Sequence, residues 1–321
     1  MKAIRVTQFG GPEVLQIQSI DTPTCGEGEV LVRISAAGVN PVETNIRAGA
    51  YATLPQLPYT PGGDAAGTVE AVGAGVTSLA VGDRVYTGSG VGGGAYAEAG
   101  VFPAATVHKL PEQASFAQGA AIGVPYGTAY RALIQKAEAK AGETVLIHGA
   151  SGAVGTAAVQ IAAAAGMTVI GTASTERGRQ LVLEQGAACV VDHSASDYLE
   201  EITAFTGGAG PDVIIEMLAN VNLQSDLQIV ARFGRVIVVG NRGPIEIDAR
   251  LTMGKDAQVR GMALPNASTR EKGEIYSALS AGLANGTLRP IIGKEFNLEE
   301  AAEAHVAVME SGAFGKIVLN C

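Results

Sequence analysis

No tryptophan occurs in the 321 residues, and only three cysteines and four histidines do. Cys25, Cys189 and Cys321 are scattered and form no CxxC pair. That excludes a disulfide framework and a zinc ribbon, and it points to a reduced, cytoplasmic protein. Charge is sparse at 17%, and it leans acidic: 31 Asp and Glu against 22 Lys and Arg, a net charge of −9. Charge of that sign argues against non-specific binding to nucleic acid. Long apolar runs are missing too. Mean hydropathy is +0.24, but Ala and Val produce it. The longest run, around Ile161 to Ala165, is far short of the ~20 residues of a membrane helix. Met1-Lys2-Ala3-Ile4-Arg5-Val6 reads as a strand rather than as a signal peptide.

Glycine, by contrast, is abundant at 43 residues, and its placement is informative. From Thr144 to Ala163 the sequence runs TVLIHGASGAVGTAAVQIAA. Val145-Leu146-Ile147-His148 suits a strand buried on both faces. Thr156 to Ala165, rich in Ala, suits a helix. Gly149, Gly152 and Gly155 join the two. A strand that turns through glycines into a helix brings free N–H groups and the helix's positive end to one point, which attracts a pyrophosphate. Gly152 lets backbone approach the phosphates, Gly155 lets helix and strand pack closely, and Ser151 adds a hydroxyl.

The length suits two domains. Up to about residue 120 the chain reads as β-rich. Val30, Val32 and Ile34 alternate with Leu31, Arg33 and Ser35, and Ala66–Val72 and Arg84–Tyr86 look similar. Gly10-Gly11-Pro12, Pro61-Gly62-Gly63, Gly73–Gly75, Gly82-Asp83 and Gly92–Gly94 mark the turns of a small barrel-like domain. Phe116–Ala137 has helical spacing, broken at Gly123-Val124-Pro125. Strands are then expected at Val145–His148, Thr168–Thr172, Cys189–Val191, Val213–Met217, Val236–Val239 and Val259–Leu264. Helices alternate with them at Thr156–Ala165, Glu176–Gln185, Ser196–Phe205 and Leu223–Arg232. That is an α/β fold with a doubly wound parallel sheet. A helical stretch from Lys272, an amphipathic segment Leu298–Met309 and a last strand Lys316–Leu319 return to the first domain.

End to end, the chain resembles the zeta-crystallin-like, zinc-independent NADPH:quinone oxidoreductases of the medium-chain dehydrogenase/reductase superfamily. The resemblance is carried by FGGPEVL (Phe9–Leu15), GVNPVET (Gly38–Thr44), LPYTPGGDAAG (Leu57–Gly67), GAAIGVPYGTAYRAL (Gly119–Leu133), HGASGAVG, EMLANVNL (Glu216–Leu223) and RVIVVGNRG (Arg235–Gly243). It implies a Rossmann domain, 123–264, inserted in a GroES-like domain, 1–122 with 265–321, and a substrate cleft where they meet. It implies cofactor contacts at Ser151, Gly152, Ala153, Val154, His193, Asn222, Val239, Gly240, Asn241, Arg242, Met262, Ala263 and Leu264. Val239–Asn241, Asn222 and His193 each follow a parallel strand, which is where ligands bind such sheets. Relatives are dimers or tetramers, and the edge strand Val259–Leu264 is the expected seam. Where the family often has tyrosine after the NPVET segment, this chain has Asn45.

Zinc-dependent relatives hold their metal on the stretches equivalent to Gly38–Glu43 and Pro61–Asp64, and here these contain no Cys and no His. Glu43 and Asp64 alone make a poor zinc site, so no metal is expected. Quinone reduction needs none, because the acceptor is already electrophilic and its reduced anion takes a proton from water. Asn40 and Tyr51 are the groups expected at the acceptor, with Thr128 on the nicotinamide carboxamide. NADPH is the expected cofactor. The second strand ends Gly171-Thr172-Ala173-Ser174 without the acid that an NAD site uses. Ser174, Thr175, Arg177 and Arg179 follow as donors to a 2′-phosphate, with Glu176 among them. Two other readings stay open. One is reduction of enones or alkenals, with Tyr51 as proton donor. The other, of a different class, is a nucleotide-regulated RNA-binding or structural crystallin role, for which the chain shows no basic–aromatic stripe.

Overall fold

Alternating side chains in the first stretch pair as antiparallel strands, and the apolar runs of the middle stretch pair as parallel ones. The computed structural model describes residues 1–88 and 93–321, so Gly92 of the expected Gly92–Gly94 turn lies outside the described residues. The first strands are β1 (Lys2–Arg5), β2 (Gln16–Ser19), β3 (Glu29–Val39), β4 (Asp64–Val72), β5 (Arg84–Gly88), β6 (Ala99–Pro103) and β7 (Val107–Lys109). The middle strands are β8 (Thr144–Ile147), β9 (Thr168–Thr172), β10 (Cys189–Val191), β11 (Val213–Glu216), β12 (Arg235–Val238) and β13 (Gln258–Gly261). β14 (Ile292–Asn297) and β15 (Lys316–Asn320) close the chain.

Two compact units result. One is Met1–Pro125 with Tyr276–Ser311 and Gly315–Cys321; the other is Tyr126–Ile275 with Gly312–Phe314. In the first unit a seven-stranded sheet runs β14-β15-β3-β4-β5-β7, with β6 also on β3, beside a separate β1–β2 ladder. β3 explains the pattern. Val30, Val32 and Ile34 are buried while Arg33 is exposed; after Ser35 alternation stops and Ala36 to Val39 are all buried. The core gathers there, with Ile4, Phe102 and Leu319 packed among the β3 residues. Gly38 is required by packing, since a Cβ there would run into the backbone oxygen of Ala120.

In the second unit all six strands are parallel, in the order β10-β9-β8-β11-β12-β13. Every carboxyl end therefore faces one edge of the sheet. The strand order reverses between β8 and β11, the place where such sheets bind ligands. Apolar side chains of β8, β9 and β11, such as Leu146, Ile170 and Ile214, are fully buried. Two expectations change. Gly123-Val124-Pro125 does not break a helix but begins one, Gly123–Tyr130, because proline in a first turn gives up an N–H that has no helical partner anyway. The last strand is shorter than Val259–Leu264, because Leu264–Asn266 forms a tight turn with proline at its start. Among the described residues no helix is long and apolar enough to cross a membrane.

Candidate active site

In the first unit, the end of β3 meets the start of a helix, Pro41–Arg47, and this junction builds a buried polar cluster. Asn40 is the helix N-cap, Pro41 follows it, and Glu43 completes a capping box. The Asn-x-x-Glu spacing is the local reason the helix starts here. Glu43 is 5% exposed, and its carboxylate accepts four hydrogen bonds: from Asn40 N at 2.9 Å, Asn40 Nδ2 at 3.2 Å, Gly63 N at 2.9 Å and the Tyr96 hydroxyl at 2.7 Å. Asp64, fully buried, accepts from Val124 N at 2.8 Å, from Asn40 Nδ2 at 3.0 Å and from Lys316 Nζ at 3.3 Å. Lys316 also donates to Asn40 Oδ1.

The expected role of Asn40 has to be read against these bonds. Its amide spends both N–H groups on Glu43 and Asp64 and its oxygen on Lys316, and the residue is 2% exposed. Within this unit its amide is fully committed to neighbours. Tyr51 is half-buried against the same core, and Asn45 is exposed on the helix surface.

Burial pushes both carboxyls upward in pKa, opposed first by the Lys316 charge. Beyond Glu43 the chain of bonds continues. Tyr96 meets His305 Nε2 at 3.1 Å, and His305 Nδ1 faces Arg47 Nη1 at 3.3 Å. Arginine only donates, so His305 accepts on Nδ1 and carries its proton on Nε2. Burial, with Arg47 second, pushes the His305 pKa down to about 3.

A metal does not fit this cluster. Asn40 and Asp64, one from each stretch that holds zinc in zinc-dependent dehydrogenases, are bridged by the Lys316 ammonium. A fixed cation on those two groups excludes a second. Sequence reasoning missed Lys316, because a lysine opening an apolar strand normally points to solvent. Among the described residues, the one group with the composition of a cation site is His148, Glu216 and Asp226, in the other unit.

In the second unit the cofactor residues expected from sequence gather at the carboxyl edge of the sheet. Ser151 to Val154 follow β8, Ser174 follows β9, His193 follows β10 and Asn222 follows β11. Val239 to Arg242 follow β12, and Met262 to Leu264 follow β13. Thr128 is 7% exposed, on the helix Gly123–Tyr130.

The glycines make a cradle there. Gly149 adopts φ +57°, and a Cβ on Gly155 would lie 2.5 Å from Ala150 Cα. The helix Ala153–Ala164 is capped by Gly152 with no side-chain bond, which leaves its first N–H groups for a ligand. Ser151 spends its hydroxyl proton on Ala313 O at 2.7 Å.

The arginines differ. Arg179 is held by Asp192 at 2.6 Å and Glu176 at 2.7 Å. Arg177 has no ion-pair partner among the described residues and lies 3.9 Å over the Phe314 ring. Phe314 comes from a distant part of the chain, and no local pattern announces it.

Comparison with known proteins settles the relationship. The quinone oxidoreductase of Homo sapiens is 51% identical over 321 residues, covering 99% of this chain and 97% of that one. This chain belongs to the quinone oxidoreductase family. It is an oxidoreductase. The model for the alcohol dehydrogenase GroES-like domain matches residues 26–112, and the zinc-binding dehydrogenase model matches 153–280. The fold is thus the GroES-like and Rossmann pair of the medium-chain dehydrogenases/reductases. The Escherichia coli quinone oxidoreductase, solved complexed with NADPH, superposes with TM-score 0.88 at 30% identity, covering all of both chains. An NAD-dependent alcohol dehydrogenase superposes with TM-score 0.92 at 29% identity, also over all of both chains. The quinone oxidoreductase backbone is therefore shared with enzymes of other cofactor choice and chemistry, and side chains must decide both.

Proposed function

We propose that this quinone oxidoreductase family member uses NADPH to reduce quinones without metal, in the cleft that the family resemblance implies. The observation that carries the metal-free reading is the Lys316 ammonium bridging Asn40 and Asp64. Bound NADPH supplies the hydride. The chain binds, orients and solvates. The Gly149–Gly155 loop and the bare helix start hold the pyrophosphate. The residues after β9 to β13 hold the ribose and nicotinamide ends, with Thr128 on the carboxamide. Arg177 meets the 2′-phosphate. Tyr51 meets the acceptor with ring and hydroxyl, and Asn40, locked by its bonds, fixes the wall behind it. A quinone takes hydride and then one proton from water, so no buried acid has to move. The unpaired edge of β13, with Val259 41% exposed, suits pairing with a second copy. The free thiols of Cys25, Cys189 and Cys321 suit a reducing, cytoplasmic setting.

The test is steady-state oxidation of NADPH with a small ortho- or para-quinone beside an alkenal, before and after dialysis against a chelator. Quinone turnover should exceed alkenal turnover and survive dialysis. Turnover lost to the chelator and restored by zinc would refute the metal-free reading, and a preference for the alkenal would refute the substrate.

A further inference from the structure

Three ionisable side chains meet in the second unit, and none of the roles above uses them. His148 follows β8, Glu216 ends β11, and Asp226 lies on the helix Ala219–Ile229; their exposures are 3%, 0% and 0%. His148 Nε2 is 2.8 Å from Asp226 Oδ1 and 3.5 Å from Glu216 Oε2. Glu216 Oε1 accepts from Leu218 N and, at 3.2 Å, from Asn222 Nδ2. Two oxygens are left over: Glu216 Oε2 and Asp226 Oδ2 are buried without a hydrogen-bond partner among the described residues. Each orphaned carboxylate oxygen is costly. Ligand atoms of the three side chains lie within 4.8 Å of one another. One proton placed between the two carboxyls gives each an answer, and like charges at that range resist double ionisation.

We propose that Glu216 and Asp226 share one proton beside His148, and that this shared proton positions Asn222 and the Gly149 loop for the cofactor, so that cofactor binding takes up a proton. The positioning part rests on the reading of Asn222 as a cofactor contact. The link is short. Glu216 holds the Asn222 amide directly, and His148 immediately precedes Gly149. A bound pyrophosphate brings negative charge to that loop, which favours the cluster with its proton on.

The proton is exchangeable near neutrality, because burial pushes the Glu216 carboxyl up to about 7. Burial alone would lower His148, but the Asp226 charge and hydrogen bond carry it upward overall. Two further groups face the cluster. His193, beyond β10, is lowered by desolvation and then by the His148 charge. Tyr198, on the helix Tyr198–Phe205, is raised by burial and by both carboxylates. The sign follows. Because the proposed protonated cluster binds cofactor better, affinity is highest at low pH and falls as pH rises through about 7. By reciprocity, cofactor binding raises that pKa further.

The test uses NADH, because a 2′-phosphate itself titrates near pH ~6. NADH affinity, read from nicotinamide fluorescence between about pH 6 and about pH 8.5, should fall roughly tenfold, the worth of one pKa unit. An indicator dye in weak buffer should report proton uptake on binding. Glu216→Gln keeps the acceptor for Asn222 and offers Asp226 a permanent donor, so its profile should be flat at the parent's low-pH affinity. A slope that survives Glu216→Gln, or one that disappears in His193→Gln instead, overturns the proposal. If Glu216→Gln does not fold, the infrared difference spectrum of the parent decides: NADH should strengthen a protonated carboxylic acid band, and no such change overturns the proposal. One tightly held divalent cation per chain, lost in Asp226→Asn, would also overturn it by putting a metal where the proton is assigned. Asn222→Ala isolates the underlying reading. It should weaken NADH at every pH. Unchanged affinity would remove Asn222 as a contact, and the positioning claim with it.

Discussion

Each unit buries a cluster of charged groups, but the two clusters are finished differently. Around Glu43 and Asp64 every carboxylate oxygen meets a donor, from backbone N–H, an amide, a phenol or the Lys316 ammonium. Around Glu216 and Asp226 two oxygens meet none. A closed network fixes one arrangement, whereas an open one leaves acceptors that a proton can fill. The closed cluster ties the Asn40 helix start to Asp64 and Lys316, and the open one stands beside the glycine loop. In this protein the fully bonded cluster lies in the first unit and the open one in the second.

The strongest way to break that contrast is to remove the cation from the closed cluster. Lys316→Met leaves Asp64 buried without its ammonium, and such broken pairs cost about 3–5 kcal/mol. Urea unfolding followed by circular dichroism should show that loss. Glu216→Gln in the open cluster should cost far less, because a new donor faces an oxygen that had none. Equal losses in the two variants would erase the distinction.

Much of this was legible in the sequence, and the missing part has one cause. The glycine loop, the parallel strands and the absence of zinc ligands are local patterns, read within a few residues. Burial of Lys316 is not local, because it depends on β15 pairing with β3 beside Asn40. The same holds for Phe314 under Arg177, and for Asp226 reaching back to His148. Asn40 illustrates the mixture. Its place in an Asn-x-x-Glu cap was readable, but the bonds that occupy its amide were not. Chemistry spread over distant segments leaves no spacing to read.

Titration offers a second, smaller break. In the first unit His305 and His108 have pKa values pushed down to about 3 and about 4, both chiefly by burial. A base whose folded pKa is depressed contributes stability above its unfolded value, near 6.5, and loses it as pH falls through the folded value. Glu216, pushed up to about 7, runs the other way: its contribution is full at low pH and fades as pH rises through about 7. Hydrogen exchange resolved by peptide should therefore show the first unit weakening by about 2–4 kcal/mol between about pH 6.5 and about pH 5, a loss that the raised Glu43 and Asp64 carboxyls oppose. The second unit should weaken on the alkaline side. Parallel profiles in the two units would refute the assignment.

The smallest expected effect lies inside the second unit, between two arginines two residues apart on one helix. Sequence offers both as partners for a 2′-phosphate, but the structure separates them. Arg179 is held by Asp192 and Glu176, so turning to a phosphate means leaving two carboxylates. Arg177 lies flat over Phe314 at 3.9 Å, with its fork of N–H groups unspent on any acid among the described residues. Stacking steers a guanidinium without using its donors, because the ring holds the face and leaves the edge free. One charge-assisted contact contributes about 1.5–3 kcal/mol, so Arg177→Ala should lower the NADPH to NADH ratio of kcat/KM by about tenfold or more. Arg179→Ala should move it much less. Phe314→Leu should fall between them, because the charge remains and only its aim is lost. A ratio that collapses in Arg179→Ala and holds in Arg177→Ala would reverse the assignment. A ratio near unity in the parent would remove the preference, and the cofactor reading with it.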